Sequence, residues 1–241
     1  MERLLQIIDS LDFGNQNNEA FTFEQVANAF KQGTVNLPFF SSFGGGGNCA
    51  SVALIKASIG TFGFSGIFKS IIVDHARARF LIDLIDDDET TYNLSFEDFR
   101  YASEKSAFKL NNDDELSKNI LVFAHFCFAV MAEVKRKTYR RNRRYKRAIT
   151  DLNKGESTIY IHELLGLEKE TITDVSISNL TSFQHIVVWN WPHAVYSNEG
   201  FYDEFFNGHN DIEPLDNLKN IHGDGTEGDN PVGAYLLKHE D

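Results

Sequence analysis

The sequence predicts an α+β fold in which a buried helix packs on an antiparallel sheet built from the C-terminal third of the chain. Helical stretches with capping signals come first, and short apolar runs separated by turn residues follow from residue 183 onward. A hydrophobic content of 42% and a charged content of 24% are ordinary for a globular domain, and 241 residues can bury a proper core. We therefore expect residues 1–241 to form a single domain.

Two helices are indicated early in the chain. Thr22 and Gln25 have the spacing of a capping box, which predicts a short helix ending near Lys31. A second helix is expected to begin at Cys49, because no Gly or Pro interrupts the chain from there until Gly60. Its side chains are apolar nearly all round, which is typical of a helix buried against a sheet.

A hairpin and a further helix follow. Residues 67–73 and 79–85 are rich in Ile, Phe, Leu and Val and predict strands. The acidic turn 86–89 and a third strand at 90–94 complete the hairpin. Ser95 and Asp98 then have the spacing of a helix cap.

One long helix is predicted from about residue 114 to residue 151. Its first part, residues 120–134, is apolar but shorter than the roughly 20 residues that span a bilayer, so we expect a buried helix and no membrane span. His125 and Cys127 in this part are interpreted as core residues. The helix continues without a breaker into residues 135–147, KRKTYRRNRRYKR, which hold nine of the 23 basic residues and no acid.

This basic segment, residues 135–147, has two interpretations. It could bind an acidic partner, an anionic membrane surface or nucleic acid, with Tyr139 and Tyr145 stacking on bases. It could instead pair with acidic patches of the same chain at 86–89 and 113–115. The net charge of −12 makes nucleic acid unlikely as a partner, and we favour the intramolecular pairing.

The last third of the chain predicts strands. They are expected at 183–189, 193–197, 201–206 and 233–238, whereas 157–167 and 172–178 are ambiguous and 207–230 should form an exposed loop. The first residues lack the basic start of a signal peptide, and two cysteines in unrelated contexts form no disulfide framework. Both observations favour a reducing, cytoplasmic location.

Cys49 is the first candidate for chemistry. Four glycines, residues 44–47, lead through Asn48 to the cysteine at the start of the predicted helix. Unpaired N–H groups at a helix N-terminus favour the thiolate over the thiol, and glycines allow a substrate to approach the backbone closely. This arrangement predicts a nucleophilic cysteine. The alternative is a tight turn followed by a core helix in which the small Cys49 side chain only packs.

His193 and Asp203 form a second candidate constellation. If Ser197 and Phe201 flank a three-residue loop ending in Gly200, His193 faces Phe205 and Asp203 lies diagonally next to His193 on the same face. A carboxylate there could fix the tautomer of the imidazole, and the imidazole could activate a cysteine. His185 is a fallback base.

Residues 44–57 and 193–205 together resemble the papain-like cysteine peptidases, with a cysteine opening a buried helix and a His-Ala-Val strand far along the chain. The resemblance implies Cys49 as nucleophile, His193 as general base and Asp203 as the orienting group. Phe43 and Ala50 stand where papain has Gln and Trp, so we consider the Cys49 N–H and the Asn48 side chain as oxyanion donors. Asn230, in Asn-Pro-Val-Gly, is an alternative third member.

We therefore expect a thiol hydrolase or acyltransferase that acts on an amide or isopeptide substrate and needs no cofactor. Peptidase, amidase and transglutaminase-like activities all fit this order of residues. The alternative is a non-catalytic interaction module that holds an acidic partner through residues 135–147. A metal site at His222, Asp224, Glu227 and Asp229 is disfavoured because calcium-loop spacing is missing.

Overall fold

The fold is taken from a computed structural model that describes residues 1–13, 21–32, 47–87, 89–138, 144–190, 193–204, 211–220 and 231–238. The helices in these ranges are α1 (Glu2–Ser10), α2 (Phe23–Ala27), α3 (Cys49–Phe62), α4 (Phe96–Lys105), α5 (Glu115–Thr138), α6 (Tyr145–Leu152) and α7 (Ile177–Leu180). The strands are β1 (Phe30–Gln32), β2 (Ser70–Asp74), β3 (Arg79–Asp83), β4 (Thr91–Ser95), β5 (Phe108–Leu110), β6 (Glu168–Ile172), β7 (Ile186–Asn190), β8 (His193–Asn198), β9 (Phe201–Glu204), β10 (Asp211–Pro214) and β11 (Gly233–Lys238). The predicted α+β class is confirmed.

A six-stranded antiparallel sheet carries the site described below. Its strand order is β10-β9-β8-β7-β11-β6. One face contributes Val187, Ala194 and Tyr196 to the main core beneath α3. The other face is covered by a smaller apolar cluster that includes Val188 and Val195. Because both faces are covered, the central strands are apolar at consecutive positions instead of alternating.

Helix α3 is the centre of the molecule. Its side chains from Ala50 to Ile59 are buried, because the helix lies between the sheet on one side and α5 on the other. This explains the apolar composition around its whole circumference. The predicted start of this helix at Cys49 is confirmed.

Two smaller sheets complete the strand structure. β2, β3 and β4 are the three predicted strands and form an antiparallel meander that includes the predicted hairpin. The cap of α4 by Ser95 is present, with the Asp98 N–H donating to Ser95 Oγ at 3.0 Å. The capping box of α2 is also confirmed, although this helix ends at Ala27 and the chain then enters β1. The pairing of β1 with β5 was not predicted, since each strand has only three residues.

The predicted continuous helix from 114 to 151 is wrong. α5 ends at Thr138 and α6 begins at Tyr145, and α6 packs back against α5. The Tyr145 hydroxyl donates to the carbonyl of Ala129 at 3.0 Å. In one straight helix these residues would lie about 24 Å apart, so the chain must reverse between them.

Helix α5 is the one helix in the described ranges that is long and apolar enough to cross a membrane. However, 72% of its most apolar window is buried inside the protein. This is the behaviour of a core helix, in agreement with the sequence expectation.

Candidate active site

Cys49 lies at the first position of α3, where backbone N–H groups have no intrahelical partners. The N–H groups of Ala194, Ala50 and Cys49 itself interact with the thiol sulfur and lower its pKa. Burial acts in the opposite direction and is the larger effect, so the pKa of the thiol is raised from its ordinary value of 9.0. The thiolate expected at a helix N-terminus is therefore not favoured at rest.

The sulfur of Cys49 lies at one edge of strand β8. The carbonyl of Trp189 accepts from the N–H of Val232 at 2.7 Å, so the backbone of Trp189 bonds toward β11. Ala194 is the cross-strand partner of Trp189, so the N–H of Ala194 points away from β7. The Cys49 sulfur interacts with this N–H and therefore lies on the side of β8 that faces away from β7. Cys49 packs against the main core, on the face of the sheet that lies beneath α3.

His193 directly precedes Ala194 and is the first residue of β8. Its side chain is buried, and its cross-strand partner is Asn190 on β7. The structure thus brings the backbone of the predicted base beside the predicted nucleophile, although the two residues are 144 positions apart in the chain.

Asn190 is a polar residue of this region that sequence reasoning missed. The residue is 4% exposed, and its side-chain amide donates to the carbonyl of Leu218 at 3.2 Å. Its Oδ1 has no hydrogen-bond partner among the described residues. Since cross-strand partners share a face of the sheet, this acceptor lies on the side of His193. The sequence signal for this residue was its spacing from His193. Only two residues separate them, as expected for residues that pair across a tight turn between two strands.

The predicted register of β8 and β9 is wrong. Ser197 pairs with Tyr202 and Asn198 with Phe201, so the connection has two residues, Glu199 and Gly200, not three. A shift of one residue moves every side chain to the opposite face. Asp203 therefore lies on the face of α3, away from the face on which His193 and Asn190 pair.

Asp203 instead forms a buried ion pair with Lys56 of α3. The Lys56 ammonium also donates to the carbonyl of Ala27 at 2.9 Å and lies 4.7 Å from the centre of the Phe30 ring. Burial lowers the pKa of Lys56 and raises that of Asp203, and each partner opposes the shift of the other. A single charged residue in an otherwise apolar helix was the sequence signal for this pair.

Asn48 does not supply the oxyanion donor that was expected of its side chain. Its amide donates to the carbonyl of Ser106 at 2.5 Å and to Asn153 Oδ1 at 3.1 Å. Both N–H bonds are thus occupied inside the protein, where they fix the entry into α3. The backbone N–H of Cys49 remains the candidate donor.

The other predicted residues fall outside this arrangement. His185 is half-buried, and its Nδ1 lies 2.6 Å from the Tyr196 hydroxyl near the opposite end of α3. His125 and Cys127 are core residues of α5, and burial lowers the pKa of His125 to about 4. Asn230 and the loop residues His222, Asp224, Glu227 and Asp229 lie outside the described residues, as does Phe43. Within the described ranges, no group of three His, Cys, Asp or Glu side chains could hold a metal ion.

Comparisons of the chain with models of protein families, with curated proteins and with solved structures give no match.

Proposed function

We propose that the protein is a thiol-dependent hydrolase or acyltransferase that acts on an amide or isopeptide bond through Cys49 and His193. The observation that carries this proposal is the interaction of the Ala194 N–H with the Cys49 sulfur. It brings the start of α3 next to the residue that follows His193, so a candidate nucleophile and a candidate base belong to neighbouring positions of the fold.

The role of each group follows from its surroundings. Burial keeps Cys49 as a thiol, so His193 takes its proton as the sulfur attacks the carbonyl carbon, and later returns a proton to the leaving amine. The N–H groups at the start of α3 stabilise the negative charge that develops on the carbonyl oxygen. Water or an amine then releases the acyl group from the sulfur.

Asn190 takes the orienting role that the sequence assigned to Asp203. Its amide is anchored on Leu218, which leaves Oδ1 to accept a hydrogen bond from the imidazole and to fix its tautomer. Asp203 is engaged by Lys56 on the other face. The orienting group therefore precedes His193 in the chain, in contrast to the order implied by the papain-like resemblance.

Acylation by p-nitrophenyl acetate, followed by intact and peptide mass spectrometry, tests this function. We expect one acetyl group on Cys49 and none on Cys127, and His193→Ala should slow acylation about 100-fold or more. Asn190→Ala should slow it less, by about tenfold.

His185→Ala is the control, since His185 is a half-buried histidine directly before β7 whose Nδ1 lies 2.6 Å from the Tyr196 hydroxyl. It should leave the rate within about threefold. The proposal fails if Cys49 acylates no faster than glutathione, or if His193→Ala and His185→Ala have equal effects. The first result would favour the interaction module.

That alternative receives less support from the basic segment 135–147. Lys135 pairs with Glu156, Arg136 with Glu133 and Arg147 with Asp151, all within the same chain. Lys137 donates to the carbonyl of Thr91 at 2.9 Å. Residues 139–143 lie outside the described ranges. The favoured intramolecular pairing thus exists in the described part. Its ion pairs use acids outside the two expected patches, and Asp87 of the expected patch 86–89 also attracts Lys137 electrostatically.

A further inference from the structure

Asn48 directly precedes helix α3, yet its side chain does not cap this helix. Asn is among the preferred N-cap residues, because its side-chain oxygen accepts a hydrogen bond from an N–H of the first helical turn. Thr22, Ser95 and Asp114 accept such bonds at the starts of α2, α4 and α5. The Asn48 side chain accepts none, and its Oδ1 is buried without a hydrogen-bond partner among the described residues.

A buried network engages the Asn48 amide instead. Its Nδ2 donates to the carbonyl of Ser106 and to Oδ1 of Asn153. Nδ2 of Asn153 in turn donates to the carbonyl of Lys105 at 2.7 Å. A backbone carbonyl can only accept a hydrogen bond, so the carbonyls of Lys105 and Ser106 determine which way both amides point. Asn48 and Asn153 are both buried, and their side chains thus tie the entry of α3 to the end of α4.

The N–H groups that an Asn48 cap would bind belong to the candidate site. An N-cap side chain accepts from the N–H of the second or third helical residue, which are Ala50 and Ser51 in α3. The Ala50 N–H interacts with the Cys49 sulfur and lowers the pKa of the thiol. A cap on Ala50 would therefore compete with the sulfur and, under the proposed function, with the substrate oxygen.

We infer that Asn153 is a positioning residue, which holds the Asn48 side chain out of the cap and so leaves the first N–H groups of α3 open to the Cys49 sulfur and the substrate. This inference rests on the proposed function, because these N–H groups serve the reaction only if Cys49 is the nucleophile. An unpaired buried oxygen costs stability, and an open helix N-terminus explains why Asn48 keeps one.

Asn48→Ser and Asn48→Ala form the matched pair that tests this role. Both remove the amide from the network, but Ser can cap α3 and Ala cannot. The rate of Cys49 alkylation by iodoacetamide is measured against pH by peptide mass spectrometry. We expect the Ser variant to react about three- to tenfold more slowly than the Ala variant at pH 8, because the cap takes an N–H from the sulfur and leaves less thiolate. The Ser variant should nevertheless unfold at a higher urea concentration, since the cap stabilises the helix.

Asn153→Ala tests the same role with Asn48 retained. It removes one of the two anchors of the Asn48 amide and should slow alkylation at pH 8 about threefold. In the Asn48→Ala background the same substitution should not change the rate, because no side chain is left to cap α3. Tyr145→Phe is the control, since it removes a buried hydrogen bond from α6, the helix that ends at Asn153. It should leave the alkylation profile unchanged.

Equal alkylation rates in the Ser and Ala variants, or the rate of the natural chain in Asn153→Ala, would overturn the role of Asn153. So would a Ser variant that is both less stable and less reactive than the Ala variant, because reactivity would then follow stability. Alkylation needs no proton transfer to a leaving group, so this outcome is separate from the acylation test. A chain that fails to acylate but keeps the difference between the Ser and Ala variants would retain the role of Asn153 toward the sulfur and lose the proposed function.

Discussion

At the scale of single residues, Cys49 shows how burial and a helix N-terminus compete. Three backbone N–H groups favour the thiolate, yet removing the sulfur from water costs more, and the pKa of the thiol rises. A preformed thiolate would be reactive toward any electrophile. Cys49 is partly exposed and remains a thiol at rest, and under the proposed function its reactivity depends on His193.

Lys56 and Asp203 give the first prediction at this scale. Lys56→Met should lower the free energy of unfolding at pH 8 by about 3–5 kcal/mol, because it leaves a buried carboxylate without its partner. Burial already raises the pKa of Asp203, and loss of Lys56 should raise it further. When the pKa of a carboxyl is higher in the folded than in the unfolded protein, the free energy of unfolding falls as pH rises through the folded-state pKa. The variant should therefore be less destabilised at pH 5 than at pH 8.

Urea unfolding at both pH values measures this effect. The double variant Lys56→Met, Asp203→Leu is the control, and it should regain most of the lost stability because it buries no unpaired charge. If the double variant is as unstable as the single one, packing and not charge accounts for the loss.

At the scale of helices and strands, the sequence could predict features that depend on residues close together in the chain. The capping residues Thr22 and Ser95 and the start of α3 at Cys49 all act within one helical turn, and each is confirmed. The break between α5 and α6 carries no Gly or Pro. It is stabilised by a tertiary contact of Tyr145 with Ala129, which no local pattern shows.

The register of β8 and β9 was missed for a related reason. Glu199 takes a positive φ of 48° and Gly200 one of 86°, which together form a two-residue turn. A non-glycine residue rarely adopts this conformation, so the sequence favoured a longer loop. Glu199 is held there by a bond from its N–H to the carbonyl of Phe183 at 2.8 Å and by one from Gln184 to its carboxylate at 2.6 Å.

The approach of α3 to β8 gives the prediction at this scale. Gly60→Ala in a helix normally adds about 1 kcal/mol of stability. Here the new Cβ would lie 2.5 Å from both His185 Nδ1 and the Tyr196 hydroxyl. We expect a loss of about 1–3 kcal/mol instead, because the helix or the two side chains must move.

Chemical unfolding of Gly60→Ala checks the sign of this change. In the background His185→Ala, Tyr196→Phe the two crowding atoms are absent, and Gly60→Ala should then stabilise the protein. A loss of equal size in both backgrounds would show that the crowding arises from other atoms.

At the scale of the whole molecule, the charge is distributed unevenly along the sequence but is balanced locally in the fold. The net charge is −12, yet three of the basic residues described between 135 and 147 lie against acids of the same chain: Lys135, Arg136 and Arg147. Their contributions differ with burial. Arg136 binds both oxygens of Glu133, at 2.6 and 2.7 Å, and Glu133 is 1% exposed. Arg147 lies 3.9 Å from Asp151 and its side chain is 62% exposed.

Arg136→Gln and Arg147→Gln change the net charge equally, so a comparison of the two isolates the effect of burial. Arg136→Gln should cost about 3 kcal/mol because it leaves the buried Glu133 carboxylate without its bidentate partner. Arg147→Gln should cost at most about 0.5 kcal/mol, since exposed pairs contribute little. Thermal and urea unfolding measure both. The difference should persist in 1 M NaCl, because salt screens exposed charges far more than buried ones. Equal losses in the two variants would mean that overall charge, and not the buried pair, determines how this segment stabilises the protein.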